Sequence, residues 1–155
     1  MTTTTKYSEK LEALKAYLIE EENFTEEEAN EAFYDERFDS FQCGSWEYKV
    51  FTDEEADEAA REYILDTLWA FNPEFVLSHS VLGGWTYSEG EAFCSALRLV
   101  QEKLCEDANI IVKALIADVD TFAEHAIRED GRGHFLSSYD GDEIELGEFY
   151  AYREN

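Results

Sequence analysis

Apolar residues at Tyr7, Leu11, Leu14 and Leu18 recur at helical spacing, which predicts a helix from about Ser8 to Glu22. Thr25 followed by Glu28 forms a capping-box pattern and opens a second predicted helix, Glu26 to about Arg37, with Ala29, Ala32 and Phe33 inward. Gly44 breaks the pattern, and Trp46–Val50 alternates in a way that reads as a short strand. A second capping box, Thr52 with Glu55, starts a helix from Asp53 to about Phe71. Its inward side holds Ala56, Ala60, Tyr63, Ile64, Leu68 and Phe71. Asn72-Pro73 is a stop-and-restart signal, with Asn as the cap and Pro at the first position of a short helix, Pro73–Ser78.

Residues 75–88 carry no Asp, Glu, Lys or Arg and contain Gly83-Gly84-Trp85, so this segment is expected to be core or contact surface, partly buried. Ser88 is the expected cap of a helix from Glu89 to about Cys105, with Phe93, Ala96, Leu97, Val100 and Leu104 as its apolar stripe. The apolar run Ala108–Ala117 reads as a buried helix because it contains Ala and Lys. Asp120 is expected to cap a helix ending at Gly131, with Phe122, Ala126 and Ile127 inward. Beyond it, Glu143–Leu146 and Phe149–Arg153 read as strands turned at Gly147, with Trp46–Val50 as a third. The expected fold class is α+β, a mostly helical single domain over residues 7–155 with a small antiparallel sheet near the C-terminus. Residues 1–6 are expected to form a frayed tail.

Charge changes the picture. The chain has 155 residues, the length of about one domain, with 37 acids and 12 Lys and Arg, for a net charge of −25. Residues 1–66 hold 20 of the acids and residues 67–155 hold 17, so the charge belongs to the folded body, not to an acidic tail. Such a surface repels nucleic-acid phosphates and anionic lipid, so no direct nucleic acid and no membrane partner is expected. The N-terminus lacks an apolar signal region and no apolar run approaches the ~18 residues of a membrane span. Cys43, Cys94 and Cys105 form no C-x-x-C pair and fit a reducing compartment, so a cytoplasmic location is expected.

Motifs for chemistry are sparse. Asp118-x-Asp120 and Asp140-Gly-Asp142 resemble the start of a calcium loop, but neither places Gly at position six with Glu at position twelve. His79, His125 and His134 match no metal-binding spacing, and the Gly pairs match no phosphate loop. Paired carboxylates among so many acids single out no catalytic pair. No metal, cofactor or catalytic residue is assigned, and the chain is not expected to be an enzyme.

Rows of Asp and Glu on helices remain. A helix rises ~1.5 Å per residue, close to the ~1.7 Å of axis per phosphate in duplex DNA, so helical carboxylates can approximate a phosphate backbone. Ordinary solubility needs a net charge of only ~2–8. DNA mimicry ranks above a salt-adapted surface, and both rank above catalysis. The expected contacts are Glu20, Glu21, Glu22, Glu26, Glu27, Glu31, Asp53, Glu54, Asp57 and Glu58.

The stretch Asp130-Gly-Arg-Gly-His-Phe-Leu-Ser-Ser-Tyr-Asp-Gly141, with Phe149-Tyr-Ala-Tyr-Arg-Glu-Asn155, resembles the ending of small acidic proteins from phages and mobile elements. It covers 19 of the 155 residues. Charge and size are similar to those of phage and plasmid antirestriction and anti-CRISPR proteins. That resemblance implies an inhibitor occupying the DNA groove of a host defence nuclease, or another basic nucleic-acid-binding protein. It carries over no site residue. The alternative is an acidic adaptor or chaperone of a basic partner, binding through Trp85, His134 and Tyr139, with the Gly131–Gly141 loop. Oligomeric state is left open.

Overall fold

The structure is a computed structural model that describes residues 3–155, with side chains from Tyr7 onward. Residues 1 and 2 of the expected tail lie outside the described residues, and the backbone is helical from Thr3. The fold is α+β and mostly helical, with one five-stranded antiparallel sheet. It divides into two compact units, residues 1–60 with 130–155, and residues 61–129.

The first unit is built around the sheet. Helix α1 (Thr3–Glu21) buries Leu14 and Leu18 completely, as its apolar spacing requires. Asn23 ends it in the left-handed region at φ 59°, and the Phe24 N–H returns to the Leu18 carbonyl at 3.0 Å. Helix α2 (Glu26–Asn30) opens on the expected capping box: the Thr25 N–H donates to the Glu28 carboxylate at 2.8 Å, and Thr25 Oγ1 accepts from the Glu28 N–H at 3.1 Å.

α2 stops seven residues before the expected Arg37. The chain enters β1 (Phe33–Asp35) and returns through β2 (Ser40–Cys43), with Tyr34 opposite Phe41. Tyr34 stacks on Tyr7 at 4.0 Å and tilts against Phe41 at 5.2 Å, which rewards the extended backbone. Phe33 therefore points away from the core and is exposed, not inward.

β3 (Trp46–Thr52) pairs with β2 and with β5 (Phe149–Arg153), and β5 pairs with β4 (Ile144–Leu146), giving the order β1-β2-β3-β5-β4. One face carries Phe41, Cys43, Tyr48, Val50, Phe149 and Ala151 into a core with Leu14, Leu18 and Ala32. Both expected C-terminal strands and the third at Trp46 are present; β1 and β2 extend the sheet beyond them. Helix α3 (Asp53–Asp66) follows β3 directly and has the second expected capping box, Thr52 with Glu55. The Gly131–Gly141 segment is not an open loop, because residues Arg132–Leu136 form helix α8. Gly133 lies against the backbone of residues 141–143: a Cβ there would overlap the Gly141 carbonyl oxygen and stand 2.8 Å from the Glu143 nitrogen.

The second unit is helical. α3 stops at Asp66 and a 3₁₀ turn (Leu68–Ala70) leads to α4 (Pro73–Ser78), capped by Asn72 as expected. Tyr63 lies exposed, off the buried side of Ala60, Ile64 and Leu68. α5 (Tyr87–Leu104) is capped by Thr86, two residues before the expected Ser88, and Leu104 is exposed. A 3₁₀ turn (Cys105–Ala108) leads to α6 (Asn109–Leu115). α6 is not the wholly buried helix expected: Val112 is buried, while Ile110 and Ile111 face solvent. α7 (Val119–Asp130) is capped by Asp118, whose Oδ1 accepts from the Asp120 and Thr121 N–H groups, not by Asp120 itself. Phe71, Phe75 and Phe122 pack edge-on and stacked at 4.8–5.9 Å in its core.

Candidate partner-binding surface

The ten expected contact acids all fall in the first unit, on three helix ends. The last turn of α1 carries Glu20 and Glu21, Glu22 follows it, and no base stands in that turn. Acids there oppose the helix dipole, which favours cations at a C-terminus. Glu20 and Glu21 are exposed. Glu22 is half-buried and accepts a 2.8 Å hydrogen bond from the Tyr17 hydroxyl. Burial and that bond push Tyr17 up to about 12. Glu22 is thus held from inside, while its two neighbours point to solvent.

In α2, Glu26, Glu27 and Glu28 crowd the first turn, where the dipole stabilises them. Glu28 closes the cap; Glu26, Glu27 and Glu31 stay exposed. Among the described residues, Glu20, Glu21, Glu26, Glu27, Glu31 and Glu54 make no side-chain hydrogen bond or ion pair within the chain.

The start of α3 is different. Arg132 Nη1 donates to Asp53 Oδ1 at 2.9 Å, to Asp57 Oδ1 at 3.0 Å and to the Asp53 carbonyl at 3.0 Å, while its Nε reaches Glu143 at 2.8 Å. The guanidinium also lies 4.6 Å over the Tyr150 ring. Arg132 is only 10% exposed, whereas Asp53 and Asp57 remain 66% and 62% exposed. The Glu143 carboxylate beside Arg132 raises the arginine further above its usual range, so the charge is permanent. Glu143 also accepts from the Tyr152 hydroxyl. Asp53 and Asp57 therefore present one solvated edge each while being anchored from behind. Glu54 and Glu58 are exposed beside them.

The three alternative residues fall in two places. Tyr139 is exposed in the first unit and stacks on Arg153, which lies 3.8 Å from the Tyr139 ring and 3.8 Å from the Trp46 ring. His134, in α8, is exposed and stands perpendicular to Phe135 at 4.9 Å. Trp85 belongs to the second unit, within an exposed run from Val81 to Glu89. Trp85 is 45% exposed, and Gly90 leaves room for its indole: a Cβ at 90 would come within 3.1 Å of the ring.

Two of the three cysteines are buried, while Cys105 and His134 are exposed. Burial pushes the Cys43 thiol up to about 12 and raises Cys94 too. His79 Nε2 and His125 Nδ1 lie 2.8 Å apart, with Phe75 and Phe122 against the His79 ring. Among the described residues no three His, Cys, Asp or Glu side chains converge to hold a metal ion. None of the described helices is long and apolar enough to cross a membrane.

Compared with protein-family profiles, curated proteins and solved structures, the chain matches none.

Proposed function

We propose that this protein is an acidic inhibitor that imitates duplex DNA and occupies the nucleic-acid groove of a basic partner, such as a defence nuclease in the cytoplasm of a host cell. The observation that carries the reading is the set of uncompensated carboxylates on capped helix ends in the first unit. Glu20 and Glu21 stand where the helix dipole disfavours them, although stability alone would favour Lys or Arg at these positions. Their presence there fits a surface built for a partner. Binding is by occupancy, and encounter is fast and salt-sensitive because opposite fields steer the two proteins together.

The test is capture of partners from a host lysate at low and high salt, with duplex DNA as competitor. Recovery of a nucleic-acid-binding protein that is lost in high salt and displaced by duplex DNA is the expected result. Partners that withstand salt and ignore DNA overturn it.

A second reading rests on one observation in the second unit. Val81, Leu82, Trp85 and Tyr87 are exposed in an uncharged segment of a very acidic chain. An adaptor or chaperone binding through this patch loses its partner on Trp85→Ala, with little change in salt dependence.

A further inference from the structure

The β1–β2 hairpin holds an open pocket of about 370 Å³ lined by Phe33, Asp35, Arg37, Phe38, Gln42 and Glu47, with Gly44 at its edge. Two features set it apart from the helical acids. Phe33 and Phe38 are 53% and 60% exposed, and large aromatics in solvent at one pocket have no role in the core. Glu47 is half-buried, and its carboxylate has no hydrogen bond or ion pair among the described residues; only its backbone is bonded, to Asn155 and Glu154.

The other charges in the pocket cancel. Arg37 donates to both Asp35 oxygens, from Nε at 3.0 Å and from Nη2 at 2.9 Å, and its backbone N–H adds a third bond at 3.1 Å. That leaves Glu47 as the uncompensated charge and the Gln42 amide oxygen as a further acceptor. An anion would have to enter against the net charge of −25. A planar cation suits both parts, because it stacks on aromatic faces and donates to a carboxylate. The same sheet already holds one guanidinium this way, Arg153 between Trp46 and Tyr139.

We infer that this pocket receives an arginine side chain of the basic partner, with the guanidinium against Phe33, since Arg37 already lies 5.4 Å over the Phe38 ring, and bonded to Glu47. The inference deepens the inhibitor reading and rests on it, since it supplies an anchor for one side chain where the helical acids supply only a field.

The test titrates the ¹⁵N-labelled full chain with N-acetyl-arginine amide and, separately, with its uncharged isostere N-acetyl-citrulline amide. The expected result is saturable shifts confined to residues 33–47 for arginine and none for citrulline. Phe33→Ala and Glu47→Gln each weaken the arginine response roughly tenfold. Both residues lie outside the core, so the amide spectrum elsewhere reports that each variant is folded. Non-saturating shifts spread over α1, α2 and α3, or a response that neither variant alters, overturn the pocket. The inhibitor reading is decided separately by displacement of the captured partner with duplex DNA, so its failure is distinct from failure of arginine to saturate the pocket.

Discussion

The two units solve opposite surface problems. The first holds 25 acids and seven bases, net −18, and the second holds 12 and five, net −7. Exposed large apolar side chains run the other way. The second unit shows Tyr63, Val81, Leu82, Trp85, Tyr87, Leu99, Leu104, Ile110 and Ile111, and the first shows Ile19, Phe33, Phe38 and Tyr139. Concentrated charge in the first unit goes with a core in which the sheet and α1 bury Tyr48, Leu14 and Leu18 fully. A surface that repels itself needs such a core to remain folded. On the inhibitor reading the first unit supplies long-range attraction, and the second carries most of the exposed apolar side chains.

The largest effect expected from this division is on binding. Reversing Glu20, Glu21, Glu26, Glu27 and Glu31 together to Lys should weaken partner capture by at least about a hundredfold, since each exposed pair contributes ~0–1 kcal/mol and five act together. The variant should melt close to the parent, because Lys at the end of α1 suits the dipole while Lys in the first turn of α2 opposes it. Trp85→Ala should change capture less than about twofold on the same assay. The reverse ranking moves the binding surface to the second unit.

Next is a pair of glycines. Gly133→Ala drives a Cβ into rigid backbone at residues 141–143 and should cost about 3 kcal/mol by thermal melting. Gly90→Ala, in α5, meets only the Trp85 and Leu77 side chains at 3.1–3.3 Å. It should be near neutral, because the half-exposed indole can shift and Ala favours a helix by roughly 0.5–1 kcal/mol. Equal losses would mean that the Val81–Tyr87 segment is as rigid as the sheet.

A smaller loss is expected for Arg132→Met, which leaves Asp53, Asp57 and Glu143 facing one another without a counter-charge. Because Asp53 and Asp57 stay solvated, the loss should fall below that of a fully buried pair, at about 2 kcal/mol. It should shrink as salt is added, which distinguishes repulsion from lost packing.

These positions also show what the residue pattern could reveal. Both capping boxes and the Asn72-Pro73 restart are local signals: donor and acceptor lie within three residues, so spacing alone finds them. The β1–β2 hairpin was hidden because Asp35, Glu36, Arg37 and Asp39 continue the polar helical pattern of α2, while the aromatic stack on Tyr7 that favours strand is non-local. Arg132 was equally hidden, since its Asp53 and Asp57 partners lie 79 and 75 residues away. The exposed face of α6 leaves no mark in the sequence, because an apolar run looks the same whether one side or all sides are covered. Of the ten expected contact acids, Glu22, Asp53 and Asp57 turned out to be held by Tyr17 or Arg132, which no spacing reveals.

The smallest effect is a test of the hairpin that the first unit adds to its sheet. Hydrogen bonds from Arg37 hold the Asp35 carboxyl below the usual carboxylate range. The folded chain therefore binds this proton more weakly than the unfolded chain does. The stabilisation is fully present above the ordinary carboxylate value of about 4, and it is lost as pH falls through the lower folded value. Asp35→Asn should accordingly lower the melting temperature at pH 7, and the gap between the two proteins should narrow as pH falls below about 4, as read by thermal melts of both across that range. A gap that stays constant from pH 7 to pH 2 would assign the role of Asp35 to shape and not to charge.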